Sequence, residues 1–220
     1  MFCFIDFLFE LNFSSVVISA LTEYSIQGTE IYCSLLPWFV TGYADAEGTF
    51  VISIQKSSTT RLGWQVKLIF EIGAANNLAN RKLLESFKDF FGGGRVSLGG
   101  NQLYYTVTDL PTLLRVRNHF LNHSLESTKL IHFQMWSQVL DLIVTKEHLT
   151  LEGLLRIVAI KSHFPMGLSE LLSNAFSDLP SITKPSFISS SLPLNPDWIA
   201  GFANGDGSFS LGYRKRSVFR

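Results

Sequence analysis

Residues 40–48 read VTGYADAEG, and residues 199–207 read IAGFANGDG. The likeness extends outward from both stretches. Pro37 matches Pro196, Gly42 matches Gly201, Ala44 matches Ala203, Gly48 matches Gly207 and Phe50 matches Phe209. Val40/Ile199, Tyr43/Phe202 and Thr49/Ser208 are near matches, and Glu47 stands where Asp206 stands, each an acid directly before a glycine. The offset is close to the length of one ordinary domain and far beyond a solenoid period, so each copy opens a domain.

Each copy predicts a short helix. Proline suits the first helical position, Asn195 suits the N-cap of the second copy, and Gly48 and Gly207 are expected as left-handed C-terminal stops. Gly42 with Ala46, and Gly201 with Gly205, place two small residues one turn apart on one face, which lets helix backbones approach closely. Packed face to face, the two helices bring Glu47 beside Asp206, and a strand follows each glycine, Thr49–Lys56 and Ser208–Tyr213. Adjacent carboxylates repel unless one binds a proton or both hold a hard cation such as Mg²⁺. Two such ions could clamp the attacking and leaving oxygens of a phosphodiester. A single acid at a helix end would read as a solvated cap; the matched pair favours the metal. An EF-hand reading of residues 204–207 fails, because Phe202 and Tyr213 fall where its first and twelfth ligands belong.

Composition narrows the classes further. The 220 residues are 46% hydrophobic and 16% charged, enough to bury a core. Cys3 and Cys33 are the only cysteines, which excludes a disulfide scaffold and a CxxC zinc site. The zero net charge is uneven: all 18 Lys and Arg lie from Lys56 onward and six of the 18 acids precede it, leaving the body at +6. That permits a polyanionic partner. Residues 1–36 form an apolar, acidic leader that lacks the basic start of a signal peptide and the arginines of a transit peptide. Asp6 and Glu10 would be costly in hydrocarbon, so no membrane partner and no part in the chemistry are expected of it. A serine- and proline-rich run, 186–195, marks the linker assigned to 181–195.

Between the copies, Trp64, Val66, Leu68, Phe70 and Ile72 alternate with Gln65, Lys67, Ile69 and Glu71. Val51, Ser53 and Gln55 alternate with Phe50, Ile52 and Ile54, and later strands add Arg95, Ser97, Tyr104 and Thr106 to a polar face. Such a face could be a solvated outer surface or a reader of base edges in a major groove, where Gln and Arg make paired hydrogen bonds. His119 and His123 have metal-friendly spacing, but Phe120 stands where a zinc protease needs glutamate; they read as helix-surface or partly buried histidines.

The paired segments resemble the two motifs of single-chain LAGLIDADG homing endonucleases, with the likeness running from 37 to 220 and pointing to fungal mitochondrial intron-encoded members. LIFEI (68–72), YTVTDL (105–110), HFLNHSLESTK (119–129) and KEHLTLEGL (146–154) resemble further family segments. The resemblance implies an α+β fold: an αββαββα saddle domain with an antiparallel DNA-binding sheet at 37–180, then the first helix and strand of a second, incomplete domain at 196–220. It implies Mg²⁺-dependent cleavage of duplex DNA, with Glu47 and Asp206 as metal-binding acids and Lys129 as a catalytic electrostatic stabiliser. It further implies a mitochondrial location and a monomer for the full two-motif protein. Residues 51, 53, 55, 65, 67, 71, 95, 97, 104 and 106 become candidate DNA contacts. Ala74 and Ala75 replace a polar water-positioning group, Ser124 replaces a proline, and the loop 75–82 reads as long; with the chain ending just inside the second half, weak or no double-strand cleavage is expected. A maturase role on host intron RNA, or a non-catalytic remnant, is the alternative.

Overall fold

The computed structural model describes residues 22–27, 30–187 and 193–208, with side chains from Leu35 onward. Residues 1–21, and the strand expected over Ser208–Tyr213 beyond its first residue, lie outside the described residues. Within the segment read as leader, β1 (Thr22–Gln27) and β2 (Glu30–Leu35) form an antiparallel hairpin, Thr22 opposite Leu35.

The αββαββα order follows at once: α1 (Pro37–Glu47), β3 (Gly48–Lys56), β4 (Trp64–Ala75), α2 (Leu78–Phe91), β5 (Arg95–Gly99), β6 (Gln102–Val107) and α3 (Leu110–Asn122). Then come α4 (Lys129–Val144), a 3-10 turn at Glu147–Leu149, α5 (Leu151–Ser162), α6 (Glu170–Ala175) and α7 (Pro196–Asp206). The four strands β3-β4-β6-β5 form one antiparallel sheet. Asn77 caps α2 by accepting from the Asn80 amide at 2.8 Å, so most of the expected long loop at 75–82 is helix.

Alternation decides which face is covered. Phe50, Ile52, Leu68, Phe70, Ile72, Leu103, Tyr105 and Val107 all point to one side and are buried against the helices. Phe50 sits at the centre, with ring centroids 5.3 Å from Phe70, 5.6 Å from Phe120 and 5.5 Å from both Phe133 and Trp136. Offset and edge-on aromatic packing of this kind contributes beyond area burial. Among the described residues no helix is long and apolar enough to cross a membrane.

The motif helices end differently from the sequence expectation. Gly48 has φ −74° and Gly207 φ −73°, both extended rather than left-handed. Glycine is needed there for space: a Cβ would lie 2.5 Å from the Ala44 carbonyl oxygen, or 2.2 Å from that of Ala203. A left-handed stop does occur at Gly92, φ 66°, closing α2. Asn195 caps α7 as expected, accepting from the Asp197 amide at 2.8 Å.

His119 is buried behind α1, with Nε2 3.0 Å from the Thr41 hydroxyl and its ring stacked 5.0 Å from His123. Burial, with His123 adding to it, pushes its pKa down from 6.5 to about 3. The folded state therefore binds fewer protons than the unfolded chain between those values, and stability falls as pH drops from 6.5 toward 3, by up to about 1.4 kcal/mol per unit. Urea unfolding at pH 7 and pH 4.5 checks this. The wild type should lose more stability than His119→Gln, whose amide stays neutral; equal losses would refute the assignment.

Candidate active site and DNA-facing sheet

The site begins with two helices touching at their backbones. A methyl placed on Gly42 would lie 2.0 Å from the Trp198 carbonyl oxygen, and one on Gly201 would lie 2.2 Å from that of Phe39. One turn on, a methyl on Gly205 would lie 2.5 Å from the Ala46 Cβ and 3.1 Å from Glu47 Cγ. The helix-interface residues read from the sequence, Gly42, Ala46, Gly201 and Gly205, are thus in contact. The contact brings the C-terminal ends of α1 and α7 together, with Glu47 and Asp206 as their last residues.

Electrostatics reflects that proximity. Glu47 is half-buried and its carboxyl is held above the usual range: burial raises it most, Lys129 lowers it and Asp206 raises it. Asp206 is exposed. Lys129 begins α4, and its Nζ donates to the Ala46 carbonyl at 2.7 Å and to that of Ala44 at 3.3 Å. An ammonium at these carbonyls opposes the negative end of the α1 dipole, where Glu47 sits. Burial lowers the Lys129 pKa, while Asp45, Glu47 and Asp206 pull it back up.

Sequence reasoning overlooked Asp45. Its carboxylate is 3% exposed, and Oδ2 accepts from the Glu126 amide and from Trp198 Nε1, both at 2.8 Å. Oδ1 accepts from the Ser127 hydroxyl at 2.5 Å, and Ser127 Oγ accepts in turn from the Lys129 amide at 3.2 Å. One buried acid therefore ties α7 to α1 and sets the start of α4. The available signal was an acid inside an otherwise small and apolar helical run.

The uncovered sheet face carries all ten predicted contacts. Register places Glu71 beside Thr106 and Thr106 beside Arg95, Lys67 beside Ser53, Gln65 beside Gln55, and Tyr104 beside Ser97, with Val51 opposite Ile69. Gln55, Gln65, Lys67 and Arg95 are exposed. Thr106 is buried and donates to Glu71 Oε2 at 3.0 Å, which ties those two to each other. Glu47 leads directly into β3, so it stands at the edge of this face. Beside them a cavity of about 260 Å³ is lined by Gly48–Ile52 with Lys129, His132 and Lys161.

Donor chemistry suits a hard divalent cation. Two neighbouring carboxylates supply oxygen ligands, and Mg²⁺ commonly takes only one or two carboxylates and keeps water and substrate phosphate for the rest. Among the described residues no group of three or more His, Cys, Asp or Glu that could hold a metal ion is present.

Comparison with known proteins places this geometry in context. Residues 40–140 match the family described as "LAGLIDADG endonuclease". "Probable intron-encoded endonuclease 3" of Neurospora crassa is 31% identical over 196 residues, covering 84% of this chain and 36% of that protein. The LAGLIDADG meganuclease I-CpaMI bound to uncleaved DNA has a TM-score of 0.74 at 35% identity, covering 79% of this chain and 61% of the other. I-SmaMI bound to an uncleaved DNA target in the presence of calcium ions has a TM-score of 0.77 at 37% identity, covering 84% and 63%. The chain thus spans about a third of that curated relative and less than two thirds of either solved structure. The αββαββα order, the paired motif helices and the family match over residues 40–140 together make the chain similar to LAGLIDADG endonucleases.

Proposed function

We propose that this chain is a site-specific DNA endonuclease that hydrolyses duplex phosphodiesters with Mg²⁺ held by Glu47 and Asp206. The observation that carries the reading is the backbone contact of α1 with α7, which brings Glu47, where its helix enters a polar, uncovered sheet, within electrostatic reach of Asp206. A bound divalent ion would offset charge building on the phosphodiester oxygens and make water a better nucleophile. The chain's own residues do the rest. Lys129 holds the end of α1 and keeps positive charge beside the acids; Asp45 fixes α7 and the approach to α4. Gln55, Gln65, Lys67 and Arg95 present donors and acceptors to base edges and phosphates, with Val51, Ser53, Ser97 and Tyr104 beside them and Glu71 and Thr106 shaping the centre. Lys161 adds a positive charge in the cavity beside β3, where burial and the nearby Lys184 and Lys129 hold the His132 pKa below its usual value. Production from an intron reading frame in a mitochondrion accords with the intron-encoded fungal relative.

The test is selection from a randomised duplex library, followed by salt titration of binding to the enriched site and a strand-cleavage assay with Mg²⁺. One enriched site, binding that weakens steeply with salt, and Mg²⁺-dependent cleavage at that site are expected. Host intron RNA serves as competitor. Tighter binding to that RNA than to any duplex, or no enriched duplex, would overturn the reading.

A further inference from the structure

One row of side chains crosses all four strands on the uncovered face at the start of β3: Thr49 on β3, Glu71 on β4, Thr106 on β6 and Arg95 on β5. Glu71 is the only acid in that row. The Thr106 hydroxyl donates to Glu71 Oε2 at 3.0 Å, and Thr106 itself is buried, so one oxygen of the carboxylate is fixed from below. Among the described residues no hydrogen bond reaches Oε1 and no Lys or Arg forms an ion pair with Glu71. Nor does Glu71 belong to any group of three or more His, Cys, Asp or Glu there that could hold a metal ion, so it is not a third ligand beside Glu47 and Asp206. The row therefore holds a half-exposed carboxylate with one oxygen anchored and the other free.

An anion on a surface that receives phosphates weakens binding unless the nucleic acid supplies a donor to it. In the major groove the base edges offer two such donors, the N4 amino group of cytosine and the N6 amino group of adenine. Adenine presents its N7 acceptor beside N6, and a carboxylate oxygen is repelled there; cytosine presents a C–H beside N4. We propose that Glu71 is a specificity-determining residue that accepts from the N4 amino group of a cytosine in the target duplex. Thr106 is its positioning residue, holding Oε2 so that Oε1 faces the groove. Thymine O4 and guanine O6 are acceptors, so either base at that place sets a lone pair against the carboxylate, and the acid discriminates by repulsion as well as by its hydrogen bond. This assignment rests on the reading of the sheet as the DNA-facing surface of a site-specific nuclease.

The experiment selects from a randomised duplex library with the full chain, as wild type, Glu71→Gln and Thr106→Val. Affinities are then measured for the enriched site and for an unrelated duplex. The wild type should require cytosine at one position, where any other base lowers affinity on the order of tenfold. Glu71→Gln offers a donor beside an acceptor, the pattern that suits adenine. Adenine should therefore replace cytosine at that position alone, while the unrelated duplex binds more tightly because a like charge has gone. Thr106→Val keeps the carboxylate but releases it, and the cytosine preference should fall about fivefold, the worth of one hydrogen bond, with the unrelated duplex bound as before. A purely structural Glu71 would weaken binding to every duplex alike and change no base. That result, or an enriched site at which Glu71→Gln alters no cytosine, would overturn the proposal and leave the nuclease reading standing; no enriched duplex with the wild type would overturn both.

Discussion

Valine in place of Gly42 is expected to lift α7 off α1 while leaving the sheet and its helices folded. The atoms that a side chain at 42 would strike are the carbonyl oxygen of Trp198 at 2.0 Å, its carbon at 2.8 Å and the Phe202 amide nitrogen at 2.9 Å. All three are backbone, so no rotamer change relieves the clash, and the helices must separate. Overpacking of this kind costs about 3 kcal/mol, which converts to roughly 100-fold faster exchange of the α7 amides. The remainder has its own core around Phe50, Phe70 and Trp136, so its unfolding transition should survive. Exchange mass spectrometry with a thermal melt checks both halves; unchanged α7 protection would contradict the packing described here.

The second large effect concerns Glu47. Glu47→Gln keeps the shape and removes the charge, so strand cleavage at the selected site should fall on the order of 10³-fold while DNA affinity without metal changes little. Lys129 should also remain seated, because its hydrogen bonds run to the Ala44 and Ala46 carbonyls rather than to the glutamate. Cleavage at the wild-type rate by Glu47→Gln would remove this residue from the reaction.

Much of this arrangement was legible before any coordinates. The repeat predicted helices meeting at small residues, because Gly42, Ala46, Gly201 and Gly205 lie one turn apart in each copy. Strict alternation in Trp64–Ile72 fixed which side of β4 is buried, since side chains of a strand point alternately to its two faces. Other features depend on contacts between residues distant in sequence, and no local pattern encodes them. Asp45 is one example: Trp198, Glu126 and Ser127, which surround its carboxylate, lie far from it in sequence. Lys129 was expected as a charge at the reaction centre; its position shows hydrogen bonds that close the end of α1.

The glycines that follow α1 and α7 depart from the sequence expectation for a related reason. A glycine ending a helix usually signals a left-handed turn, yet here the chain passes straight from helix into extended backbone. What excludes a side chain at Gly48 is the carbonyl four residues earlier, a crowding visible only in three dimensions. Direct entry into β3 is also what puts Glu47 at the sheet edge rather than on a loop.

Crystals of the chain bound to its selected duplex, grown with Mn²⁺ and measured at the manganese absorption edge, test the shared carboxylate site most directly. An anomalous peak touched by the carboxylates of both Glu47 and Asp206 is the predicted result. Metal bound to neither acid, or to only one of them with the other turned away on a separated helix, would contradict it.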